Sequence, residues 1–170
     1  VATYTHSGNE TTSDSFTYKA NDGTTDSNTA AATIMITAIN DAPVSMAING
    51  SGSEGGTITT TLTATDVDDS NAAGFTFSII SDPTYMTGIV SIGTPIYVSG
   101  TFTAVATYTH DDTQTTNDSF TYKANDGDND SITETATITI TAINDVPVAK
   151  AVNSSGNEGG TITTTLIATD

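Results

Sequence analysis

Apolar and polar residues alternate along most of this chain, the spacing of a strand with one face in a core and one in water. Over Thr57–Thr65 the alternation puts Ile58, Leu62 and Ala64 on one face. Over Phe75–Ile80 it sets Phe75, Phe77 and Ile79 against Thr76 and Ser78. Thr101–Thr109 places Phe102, Ala104, Ala106 and Tyr108 together, and Ser119–Ala124 turns Phe120, Tyr122 and Ala124 inward with Lys123 outward. Thr133–Ile143 alternates Ile138 and Ile140 with Thr137, Thr139 and Thr141. Gly88–Ile92 and Pro95–Val98 read as two shorter strands. No stretch of useful length has helical periodicity. Short strands separated by Gly, Asn and Asp turns predict an all-β fold, a two-sheet Greek-key sandwich.

The pattern repeats. Residues 1–66 align with 105–170 without a gap, and 48 of the 66 positions are identical. VATYTH opens both copies, DSFTYKANDG stands in both, and EGGTITTTLTATD (54–66) returns as EGGTITTTLIATD (158–170). The offset of 104 residues suits one sandwich domain. The Pro-containing segments INDAPV and INDVPV follow strand-like runs and read as linkers, since proline cannot continue a central strand. Cutting there predicts three pieces: 1–42, the C-terminal part of a preceding repeat; 43–146, a complete repeat; and 147–170, the start of a following one. The flanking pieces do not add up to a whole domain, because neither contains a counterpart of Val67–Ala104. The expectation is a window on a longer tandem array.

Composition narrows the function. Twenty acids against three bases give a formal charge of −17. Such a surface repels nucleic acid and anionic lipid and attracts cations. The acids sit in short clusters beside Gly and Asn, which is loop chemistry. The chain has no Cys, which leaves the compartment open, since a sandwich of this size can bury a core without disulfides. No apolar run approaches a membrane span.

Few residues could carry catalysis. Adjacent pairs such as Asp111–Asp112 and Asp68–Asp69 do not set carboxylates on opposite sides of a scissile bond, and Trp is absent. His6 and His110 are repeat equivalents at strand ends; one per repeat is too few for zinc, and a rim residue bonded to a loop is expected. Lys19 and Lys123 point outward, away from any core cross-link, and Tyr122 is expected to pack as a corner tyrosine. Tyr85 and Tyr97 are the best candidates for exposed aromatics. The sequence predicts no enzyme. Asn9, Asn49, Asn117, Asn129 and Asn153 each begin an Asn-x-Ser/Thr sequon, a possible glycan site in a host that glycosylates.

Three stretches carry a family resemblance: YTHDDTQTTNDSFTYKANDG (108–127), the linker INDAPV (39–44), and SEGGT (53–57) leading to TATDVDD (63–69). The chain resembles the bacterial cadherin-like, immunoglobulin-like tandem repeats of large surface adhesins. That resemblance implies an extracellular or cell-surface location and calcium at the junctions. It implies one site where Asn40 and Asp41 meet Asp66, Asp68 and Asp126. It implies a second where Asn144 and Asp145 meet Glu54 from below and Asp170 from above. Calcium takes six to eight oxygens, which carboxylates and carbonyls supply. The sequence departs from the cadherin pattern at Ala38, where a further Asp is expected. Asp- and Asn-rich loops also serve as plain β-turns, so that reading stands beside the calcium one.

The function expected is a spacer, a rod of stacked repeats in a surface adhesin or filament, with neighbouring repeats or like filaments as partners. The alternatives are a carbohydrate- or protein-binding module that uses the end loops, with surface glycans as partners, and a filament subunit that assembles by strand exchange.

Overall fold

The computed structural model describes residues 1–170. Nine strands between residues 44 and 141 make the complete sandwich: β3 (Val44–Ser45), β4 (Ile48–Ser53), β5 (Thr57–Thr65), β6 (Thr76–Ser81), β7 (Met86–Ile92), β8 (Ile96–Val98), β9 (Thr101–His110), β10 (Asn117–Asn125) and β11 (Glu134–Thr141). Before them, β1 (Ser13–Tyr18) and β2 (Ala30–Met35) form a hairpin; after them, β12 (Val148–Lys150) pairs with β13 (Ile167–Thr169).

One sheet runs β4-β11-β10-β6 and the other β3-β5-β9-β7, with β8 also on β9. Register brings the inward residues of β5 and β9 opposite one another: Ile58 faces Tyr108, Leu62 faces Ala104 and Ala64 faces Phe102. In the last two pairs a large side chain meets an alanine, which helps the two sheets close on a well-packed core. Fifteen buried apolar residues form that core, with Leu62, Phe102, Tyr122 and Ile138 wholly enclosed. The inward positions assigned from alternation on β5, β9, β10 and β11 all lie in it. Thr and Ser cover the outer faces.

The first segment of the repeat divides between the sheets. β3 pairs with β5, whereas β4 pairs in parallel with β11, from Ile48 opposite Ala136 to Ser53 opposite Thr141. Alternation does not predict either strand, because β3 is two residues long and β4 carries glycine at two of its inward positions.

Two tyrosines differ in how their hydroxyls are treated. The Tyr122 hydroxyl donates to the Met46 carbonyl and lies 3.2 Å from the Thr63 carbonyl, so it ties the β3–β4 corner to β5. These partners are far away in sequence, unlike the local bond of a corner tyrosine. The Tyr108 hydroxyl is buried with no partner, and burial, with Asp118 nearby, pushes it well above the ordinary phenol range. Tyr122→Phe should therefore destabilise the sandwich by about 1–3 kcal/mol, by leaving carbonyls unsatisfied. Tyr108→Phe should leave stability unchanged or raise it. Urea melts of both variants check this; equal losses would mean that the Tyr108 hydroxyl finds water.

Candidate functional site

The acidic residues gather where one repeat hands over to the next. At the lower junction the loop after β5 carries Asp66, Asp68 and Asp69, and the loop between β10 and β11 carries Asp126 and Asp128. Asp66 Oδ1 accepts the backbone N–H groups of Asp68 and Asp69 at 2.8 and 3.0 Å, which shapes the first loop. Asp126 Oδ1 accepts those of Asp128 and Asn129 at 2.7 and 2.6 Å, which shapes the second. These are the local bonds of Asx turns. The linker then docks on both loops: the Asn40 amide donates to Asp126 Oδ2 at 2.8 Å, and the Asp41 N–H donates to Asp68 Oδ2 at 2.6 Å. The structure thus brings Asn40, Asp41, Asp66, Asp68 and Asp126 together.

The electrostatics of this cluster are those of crowded anions. Asp66 Oδ2 is buried with no hydrogen-bond partner. Burial raises the Asp69 carboxyl above the usual carboxylate range, helped by Asp66, Asp126, Asp68 and Asp128. Glu10, from the preceding repeat, is raised by a hydrogen bond to Asp68, then by burial and by the charges of Asp68 and Asp41, with His6 opposing. Asp126 goes the other way: burial works against its ionisation, but bonds from Asn129, Asn40 and Asp128 outweigh it. Carboxylate oxygens are the hard donors that a divalent cation takes, and one of them, Asp66 Oδ2, lacks a partner. As they stand, no three or more His, Asp or Glu side chains are arranged to hold one.

The upper junction is built around Glu54. Its side chain is buried, with Oε2 accepting the Ile143 N–H at 3.1 Å and Oε1 accepting the Gln114 amide. The same amide reaches Asp145 Oδ2 at 3.0 Å, so Gln114 bridges Glu54 to the linker. Asn144 turns back to the Asp145 carbonyl at 2.8 Å, and both line a shallow depression with Asp170. Gln114 and Glu10 occupy the same position in successive repeats. The sequence reading passed over both, although the two copies diverge at Ser7–Glu10 against Asp111–Gln114, which is a signal that could have found them.

Other expectations change on inspection. His110 is fully buried rather than at the rim: Nδ1 faces the Gly55 N–H at 3.4 Å and Nε2 faces the Thr115 hydroxyl at 3.1 Å, which fastens β9 to the Glu54 turn. Tyr97 is half-buried on Phe102 with ring centroids 4.8 Å apart, and Tyr85 is half-buried beside His110, so neither offers an open aromatic platform. Lys123 pairs with Asp130 at the surface and Lys19 with Asp26. Asn9, Asn49, Asn117, Asn129 and Asn153 are all exposed.

A family model described as bacterial Ig domain matches residues 40–141. No curated protein sequence matches the chain. Two solved structures of the endo-fucoidan hydrolase MfFcnA4 from glycoside hydrolase family 107, one of them a single-site variant, resemble 80% of the chain at 20% identity, with TM-scores of 0.45 and 0.44. The chain spans 20% of the length of either, and a likeness at this level carries no argument about activity.

Proposed function

From the premise that this chain belongs to the bacterial Ig domain family, we propose that it is a non-catalytic spacer of an extracellular surface protein. Its work in this reading is to hold successive sandwiches end to end. The observation that carries the proposal is the linker: Asn40 and Asp41 bond to the loops of the domain that follows, through Asp126 and Asp68. A repeat whose use is length can be copied almost unchanged, which accords with 48 identities in 66 positions. No helix is long and apolar enough to cross a membrane.

Calcium belongs to the same proposal. Asp66, Asp68, Asp126 and Asp41 would hold it at the lower junction, and Glu54, Asp145 and Asp170 at the upper, with Asn40 and Asn144 beside them. A bound cation would neutralise the crowded carboxylates and stiffen the linker. The orphaned Asp66 oxygen and the raised Asp69 and Glu10 carboxyls support it.

A thermal melt with a small-angle scattering profile, in millimolar calcium and again in chelator, tests the reading. Calcium should raise the melting temperature by several degrees and lengthen the particle. In chelator the raised carboxyls set the sign: Glu10 and Asp69 favour the docked junction while protonated. Their contribution is present below the ordinary carboxylate range and is lost as pH rises through their raised values. The chelated particle should therefore shorten as pH climbs toward neutrality, and calcium should remove that dependence. Identical profiles in calcium and chelator would leave the Asp clusters as turn residues.

A further inference from the structure

Tension along a tandem array enters each sandwich through its linkers, so the strands next to the linkers decide how the domain resists it. In the complete repeat those strands are β4, which follows the entering linker and the short β3, and β11, which runs into the leaving linker. They lie side by side and parallel, six residues against six, from Ile48 opposite Ala136 to Ser53 opposite Thr141. The Glu54 N–H carries the pairing one step further, donating to the Thr141 carbonyl at 3.0 Å. Parallel pairing puts the entering end of β4 and the leaving end of β11 at opposite ends of this ladder. A pull on both linkers therefore slides one strand along the other. In that geometry the ladder bonds share the load and fail together, whereas strands pulled apart from one end lose their bonds one at a time.

Backbone bonds, more than side chains, hold β4 in place. Its inward positions are Ile48, Gly50 and Gly52, so a single large apolar group anchors it. β11 is fixed far more firmly: it pairs with β4 on one side and β10 on the other, and it buries Ala136, Ile138 and Ile140. Hydrogen bonds act over a narrow range of distance and angle, so a strand held by them resists a short displacement and then lets go at once. β3 is too short to take over this role, since only Val44 and Ser45 pair with β5. Past the end of the ladder, Glu54 Oε2 accepts the Ile143 N–H at 3.1 Å, which ties the leaving chain back to the end of β4.

We propose that the β4–β11 ladder is a tension clamp that makes the repeat resist force along the array much better than force applied across it. The spacer reading supplies the tension, and in that respect the inference rests on it. The clamp itself belongs to one sandwich and does not depend on calcium. Forced unfolding follows the barrier out of the folded state rather than equilibrium stability, so direction of pull separates two cases that a melt cannot.

Single-molecule pulling on the whole chain, in chelator, tests the clamp. The chain has no native cysteine, so engineered pairs set where the force enters. Ala42→Cys with Val146→Cys loads the ladder in shear. Ser53→Cys with Ala142→Cys takes hold of both strands at one end and unzips them. All four positions are exposed. At equal pulling speed the shear pair should rupture at a force several times that of the unzipping pair. Adding Phe120→Ala, which empties part of the core without touching the ladder, should lower both forces and leave shear the stronger. Equal forces in the two directions, or an order that Phe120→Ala reverses, overturn the proposal. Either result leaves the docking of the linker to be judged by scattering, so failure of the clamp and failure of the spacer reading are told apart.

Discussion

Replacing Phe120 by alanine should remove about 3–5 kcal/mol from the sandwich, whereas the same change at Phe16 should leave its melt where it was. The two phenylalanines stand in the same decapeptide, DSFTYKANDG, so local sequence cannot separate them. Tertiary surroundings do. Phe120 is 1% exposed, with Tyr108 set edge-on at a centroid distance of 6.4 Å, while Phe16 is 39% exposed on a hairpin with no opposing sheet. Truncating the first leaves a cavity between two sheets; truncating the second removes a ring that is already part-solvated. A typical domain has about 5–15 kcal/mol in hand, so Phe120→Ala should lower the midpoint by on the order of 15–30 °C. Thermal melts of the two variants under the same conditions make the comparison. Equal shifts would mean that residues 1–42 are folded into the same cooperative unit as the sandwich.

The same contrast explains what was legible. On β5, β9, β10 and β11, strict alternation of Ile, Phe, Tyr and Ala with Thr points to one answer, and the strands and inward faces follow. β4 was not legible, because its inward positions are Ile48, Gly50 and Gly52 and its outward ones Asn49, Ser51 and Ser53. That composition reads as a turn, and only the parallel partner β11 makes it a strand. At the junctions, the meeting of linker, Asp66, Asp68 and Asp126 came from resemblance. Gln114 and Glu10 have no spacing to mark them in a Thr- and Asp-rich loop, and only the divergence of the two copies there sets them apart. Burial of His110 was missed for a related reason. Its position at a strand end suggests the rim, but the Glu54–Gly55 turn folds over it.

The glycines of β4 carry the other large effect. A Cβ built on Gly52 would sit 2.4 Å from Ile58 Cγ1 and 2.9 Å from Ile58 Cδ1, far inside van der Waals contact. Ile58 has little room to step aside: it is 1% exposed, and its strand is paired to β9 from Thr57 through Ala64. Glycine is therefore required at 52 by the closeness of the two sheets, because its φ is not in the left-handed region. Gly52→Val should cost about 3 kcal/mol or more, the upper end of what overpacking does. Ser51→Val, one residue away on the outer face, should change little, since a β-branched side chain suits an exposed strand position. The decisive case is a double variant. Gly52→Ala alone should destabilise, and adding Ile58→Val, which removes the Cδ1 methyl from the contact, should recover part of the loss. Double-mutant coupling of about 1 kcal/mol in that direction would tie the glycine to this contact. Simple additivity would mean that Gly52 serves the backbone pairing of β4 with β11 instead, and that the two sheets have room to part.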